Sequence, residues 1–230
     1  HKDNVAYSVD FGTGLLSAKK QKALKKYANN FKYISIRNIF KLNYIKDILQ
    51  RNDIITTIDP VFLLDKKEYE QIAKKVYIPK EYILVYNCME NHSIMLQKAY
   101  QYAKKYSLDV KVINCYSKNI INISESNPTP IGIEEFLGLI SGCKYLFTNS
   151  YHGICFSIIF EKPFAAFDRI ANNEKILTIL NLVDLQNRYV GNVVPEEEIN
   201  YKKVQEKLLR HKNIAEAFIL KSIIAGKEDK

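Results

Sequence analysis

Tyr145-Leu146-Phe147-Thr148-Asn149-Ser150-Tyr151-His152-Gly153-Ile154-Cys155-Phe156-Ser157-Ile158-Ile159-Phe160 runs from a short apolar stretch, through a few polar residues, into a longer apolar one. The pattern predicts a buried strand, a tight turn and a helix, with Asn149 or Ser150 as the helix cap. A helix start carries partial positive charge, and α/β sheets bind ligands at the carboxyl ends of their strands. The turn is therefore a candidate anion site. His152 falls in the first helical turn, where an imidazole can change protonation as an anion arrives. Gly153 lets another group approach the backbone closely. A capping turn with a purely structural histidine would show the same pattern.

Outward from this segment, short apolar runs alternate with amphipathic ones. Upstream, Val5–Val9, Tyr33–Ile36 and Ile54–Ile58 read as strands, and Ser17–Asn29, Ile39–Arg51 and Lys67–Lys75 as helices. Beyond Ile78-Pro79-Lys80, Tyr82–Tyr86 is apolar on both faces, as a buried parallel strand should be. A helix at His92–Tyr106, strands at Val110–Ile113 and Ile120–Ile123, a loop at Asn127–Pro130 and a helix at Ile133–Ser141 follow. After the central segment come a strand at Phe164–Phe167, a helix at Asn173–Leu180 and a helical tail over Tyr201–Ala225. This alternation predicts an α/β fold with parallel sheets and helices on both faces. Residues 1–78 are expected to belong to a first Rossmann-like domain, 79–195 to a second, and 196–230 to a helical segment packing back on the first. Three strands are few for a doubly wound domain, so the first domain is expected to lack its start.

Hydrophobic residues make up 47% of the 230-residue chain, enough for a sizeable core. No apolar run reaches the roughly 18 residues of a membrane span. The formal charge of +9 comes from 29 Lys and 5 Arg scattered over many helices, against 25 acidic residues. Nucleic-acid readers favour clustered Arg, so no nucleic-acid partner is expected. A mildly basic surface suits anionic substrates, or peripheral contact with the anionic inner face of a membrane. Cys88, Cys115, Cys143 and Cys155 form no C-x-x-C pair. They read as small hydrophobes in a reducing cytoplasm, and no metal site is expected.

Four further stretches carry candidate site residues. Ile34-Ser35-Ile36-Arg37 ends a β-branched strand in one of the few arginines; a guanidinium there can grip a carboxylate or phosphate bidentately. Asp59, ahead of Pro60, sits at a strand exit, where it can orient Arg37 or a sugar hydroxyl. Glu134 and Glu135 open a helix, where negative charge complements the dipole and a carboxylate can bind sugar hydroxyls. Asp10-Phe11-Gly12-Thr13-Gly14 is a loop with two glycines, a weak phosphate-loop pattern because the third glycine is absent. A surface ion pair, a turn-forming Asp and a dipole-complementing Glu explain the same residues without a ligand.

Thr148-Asn149-Ser150-Tyr151-His152-Gly153, followed by Phe156-Ser157-Ile158-Ile159-Phe160-Glu161-Lys162-Pro163-Phe164, resembles the signature of the polysaccharide pyruvyl transferase family. Ser35-Ile36-Arg37, Asp59-Pro60 with Phe62-Leu63-Leu64, and Glu135-Phe136-Leu137 resemble its weaker elements in the same order. The resemblance implies two Rossmann-like domains facing a cleft, in the manner of B-type glycosyltransferases. It also implies phosphoenolpyruvate as donor, a sugar or lipid-linked oligosaccharide as acceptor, and a pyruvate ketal in an exopolysaccharide or cell-surface glycan as product, with no cofactor. Acid–base work then falls to His152. Arg37 is expected to hold a carboxylate or phosphate across the cleft. Ser150, Asn149, Gly153, Ser35, Asp59, Asp10 and Glu135 are expected around the substrates. Some members carry Arg two residues before the His; Ser150 stands there in this chain. Two other readings remain open: a nucleotide-sugar glycosyltransferase with Glu134 or Glu135 on the ribose, and a sugar- or phosphate-binding relative without activity.

Overall fold

The computed structural model describes residues 4–12, 14–88, 92–116, 119–122, 129–169, 173–191 and 193–228. The chain divides into two compact units, His1–Leu63 with Gln205–Lys230, and Leu64–Val204.

In the first unit, β1 (Asn4–Val9), β2 (Phe31–Ile36) and the two-residue β3 (Ile55–Thr56) form a parallel sheet in that order. Helix α1 (Ala18–Ala28) joins β1 to β2 and starts at Ser17, whose hydroxyl accepts from the Lys20 amide. A 3-10 turn at Ile39–Lys41 leads into α2 (Leu42–Leu49), which Gln50 ends in the left-handed conformation. Ala28, Ile34, Ile36, Ile45, Ile48, Leu49 and Ile54 are buried together between these elements. At Ser8 the backbone turns left-handed (φ 52°) and the β1–β2 register shifts, a bulge that re-aims the end of β1.

In the second unit, α3 (Lys66–Ile72) is closed by a capping box of Asp65 and Glu68. A six-stranded sheet follows, built from β4 (Tyr82–Cys88), β5 (Asp109–Tyr116), β6 (Asn119–Asn122), β7 (Thr129–Ile131), β8 (Tyr145–Thr148) and β9 (Phe164–Ala166). Its order is β7-β6-β5-β4-β8-β9. Helix α4 (Ser93–Tyr106) joins β4 to β5, α5 (Ile133–Gly142) precedes β8, α6 (Tyr151–Ile159) joins β8 to β9, and α7 (Asn173–Leu182) follows β9. Every β4 residue but Cys88 is buried, as expected of a central strand covered on both faces. The buried Arg188 guanidinium donates to the carbonyls of Pro195 and Glu197, holding the chain ahead of α8 (Tyr201–Glu228).

Three expectations need correction. The second sheet is parallel through β5, β4, β8 and β9, as expected, but β6 runs antiparallel to both of its neighbours, β5 and β7, so the sheet as a whole is mixed. Only two residues separate β5 from β6, whereas a parallel crossover needs a dozen or more. Thr129 and Pro130, read as loop, belong to β7; β7 is an edge strand, where a missing N–H is tolerated. Asn127 and Pro128 lie outside the described residues. Residues 64–78, expected in the first domain, belong to the second unit. There the Lys74 amide donates to the Glu134 carbonyl, and the Tyr69 ring meets Phe156 edge-on at 5.2 Å.

Candidate active site

The chain leaves β4 for β5 on one side and later returns to β8 on the other. The strand order therefore reverses between β4 and β8, and the carboxyl ends of that pair form the crevice where open α/β sheets take ligands. The turn after β8 is tied to β4 there. The Thr148 hydroxyl donates to the Tyr86 carbonyl at 2.8 Å and accepts from the Ser150 amide at 3.0 Å. The Asn149 side chain accepts from the Cys88 amide at 2.7 Å and donates to the Cys88 carbonyl. Ser150 caps α6, its hydroxyl accepting from the Gly153 amide at 3.3 Å. A Cβ at Gly153 would lie 2.6 Å from the Thr148 hydroxyl oxygen and 3.0 Å from the Tyr86 ring, so only glycine fits. His152, one residue earlier, is exposed, with its ring edge-on to Tyr151 at 5.3 Å.

Under this turn lies a group of side chains that the sequence did not single out. Cys88 and Cys115 are register partners on β4 and β5, so their side chains leave the same face of the sheet. Both are partly exposed. The Cys88 thiol interacts with the Cys115 thiol and the Ser150 hydroxyl, and Tyr86 interacts with the same pair. Burial, then the neighbouring Cys115, push the Cys88 thiol above its ordinary value, while the charge of Arg169 pulls against them. Burial also holds the Tyr86 phenol well above its usual range. Arg169 follows β9, its backbone clamped by Asn173 through bonds of 2.7 and 3.1 Å. Beside it, His92 caps α4: its Nδ1 accepts from the Met95 amide, which leaves the proton on Nε2, 3.1 Å from Asp168. In sequence, Cys88 and Arg169 are ordinary strand-end residues. No local pattern announces that they share an edge with Ser150.

In the first unit, Arg37 lies just past β2 and is held from two sides. Asp59 takes one guanidinium nitrogen, and Asp10 takes the other at 2.8 Å. Asp59 is buried and also accepts from the Val61 amide at 3.1 Å; Asp10 accepts from the Gly12 amide at 3.0 Å, with Gly12 at φ +72°. Two carboxylates thus flank the guanidinium that the sequence offers to an anion. Ser35 is fully buried, its hydroxyl accepting from the Ser8 amide and from Thr57, both at 2.8 Å. Its part is to tie β1, β2 and the exit of β3 together. Asn149, likewise fully buried, holds the Cys88 backbone. Glu135 closes the start of α5 through the Gly132 amide at 2.9 Å and pairs with Lys74 at 2.8 Å.

A cavity of about 540 Å³ opens at the opposite, amino-terminal edge of the sheet, lined by Lys80, Tyr82, Gly142 and Lys144 among others. It contains none of the expected site residues. Among the described residues, no group of three or more His, Cys, Asp or Glu stands where it could hold a metal ion.

The second unit is thus a Rossmann-like α/β domain with a histidine-bearing helix start at its switch point. The family model described as polysaccharide pyruvyl transferase matches residues 2–170, and the chain belongs to that family. No curated protein matches the chain. Among solved structures, the dodecameric iron-containing heptosyltransferase TibC in complex with ADP-D-beta-D-heptose is similar at 10% identity and a TM-score of 0.32, over 98% of this chain and 77% of that one.

Proposed function

We propose that the protein transfers the pyruvyl group of phosphoenolpyruvate onto two hydroxyls of a sugar, releasing phosphate and leaving a pyruvate ketal in an exopolysaccharide or cell-surface glycan. The observation that carries this reading is the exposed His152 on the first turn of α6, at the carboxyl edge between β4 and β8. The reaction needs a proton for the enol methylene, a base for the attacking hydroxyl, and fixed positive charge for the carboxylate and departing phosphate. His152 is the acid–base group. The α6 dipole and Arg169 supply positive charge on the same edge. Arg169 thereby stands in for the arginine that Ser150 replaces.

The first unit plays a different part. With Arg37 fixing its orientation, Asp10, the more exposed of the two carboxylates, presents oxygen to neutral sugar hydroxyls rather than to a phosphate. Of the two glutamates the competing nucleotide-sugar reading offers to a ribose, Glu135 already pairs with the Gly132 amide and Lys74, which leaves Glu134. Cytoplasmic work on a lipid-linked acceptor, with peripheral contact at the membrane, fits the basic surface. No described helix is long and apolar enough to cross a membrane.

The test is phosphate release from phosphoenolpyruvate in the presence of diol sugars. His152→Ala is expected to lower turnover about 10²–10⁴-fold. Full activity in that variant removes the assigned role.

A further inference from the structure

We propose that Cys88 is the proton donor to the methylene carbon of phosphoenolpyruvate, which leaves His152 to serve the attacking hydroxyl; the proposal rests on the pyruvyl-transfer reading. Two acid–base groups are needed, because the carbon is protonated at one end of the double bond while a hydroxyl is deprotonated at the other. Cys88 ends β4 at the switch-point edge, and its backbone is clamped on both sides by Asn149. Its thiol is partly exposed beside the Ser150 cap and within the field of Arg169. An anion drawn by α6 and Arg169 therefore arrives next to it. Burial and the neighbouring Cys115 keep this thiol protonated at neutral pH, the state a donor requires. Arg169 and Ser150 stand where they steady the thiolate once the proton has gone, against the neighbouring Cys115.

The step balances. The first sugar oxygen attacks C2 and its proton passes to His152. The electron pair of the C2=C3 bond takes the Cys88 proton, and methylene becomes methyl. The second hydroxyl then displaces phosphate: its oxygen bonds C2, the C2–O bond to phosphate breaks, and its proton restores the Cys88 thiol. His152 gives its proton to the departing phosphate.

The test uses the full chain in two measurements. In the first, iodoacetamide labelling is read by peptide mass spectrometry; phosphoenolpyruvate is expected to protect Cys88, and labelling unchanged by the donor overturns the proposal. In the second, phosphate release is followed with phosphoenolpyruvate and a panel of methyl glycosides carrying free diols. Cys88→Ser, which keeps the shape and the hydrogen bonds, is expected to lower kcat at least about 10²-fold with KM for the donor little changed. Cys88→Ala should match it, with donor-induced thermal shifts retained in both variants. Wild-type kcat in either variant, or a loss confined to KM, overturns the role while the transfer reading stands. Silence of the wild-type protein across the panel strikes the transfer reading itself.

Discussion

Gly153 occupies a space that admits no other side chain. Its missing Cβ would meet the Thr148 hydroxyl and the Tyr86 ring, both of which are held by β4. Gly153→Ala is expected to cost about 1–3 kcal/mol through overpacking, read as a lower urea midpoint. It should also displace Ser150 and so lower activity. His152 is the contrasting case. Its side chain is exposed, so His152→Ala should leave the thermal midpoint nearly unchanged while turnover falls. The two carboxylates at Arg37 are unequal. Asp59 is 2% exposed and Asp10 13%. Asp59→Asn is expected to cost about 1.5–3 kcal/mol, the range for a lost charge-assisted hydrogen bond, and Asp10→Asn less, because water replaces part of the loss. Paired urea melts compare the two.

At the scale of elements, α6 and α8 show how much of a helix is local. Start signals for α6 lie in its own sequence: Ser150 as cap, then a run of apolar residues. Its exact neighbours were not legible, since Tyr86, Cys88 and Arg169 arrive from β4 and from beyond β9. Helix α8 places Leu208, Ala215, Phe218 and Ser222 on one buried stripe, at spacings that return to the same side. Phe218 lies 6.2 Å from the Tyr7 ring and meets Tyr33 edge-on at 6.4 Å, joining the helix to the first-unit sheet. Phe218→Ala is expected to destabilise the protein by about 3–5 kcal/mol in a denaturant titration. The antiparallel direction of β6 is not legible in its sequence, because apolar runs report burial and not direction. Pro130 carries a loop signal because its tolerance on an edge strand depends on where the strand lies.

For the whole molecule, stability is bounded on both sides of neutrality. Burial, then Lys207, lower the His211 pKa below its ordinary 6.5. The fold therefore favours the neutral ring, and the unfolded chain binds more protons as pH drops through 6.5. Stability from this group is present above 6.5 and lost below it. Thermal melts from pH 7 to 5 should show a slope that His211→Leu flattens. On the alkaline side, burial and then Asp59 push the Tyr7 phenol from 10.0 up to about 12. The unfolded chain loses that proton first, so stability should fall as pH rises from 10 towards 12. Tyr7→Phe removes this limb, together with the bond from the phenol to the Ile58 carbonyl. The order and kind of nearly every element were readable from the sequence alone, as was the turn at Ser150–Gly153. Periodicity, caps and apolar runs are properties of neighbouring residues, and that turn is a continuous string. Arg37 in the grip of Asp10 and Asp59, 27 and 22 residues away, and Cys88 beside Cys115, Ser150 and Arg169, were settled only by tertiary structure. Strand order and register decide which distant side chains share an edge, and a buried charge takes the partners that packing brings to it, whatever its local sequence suggests.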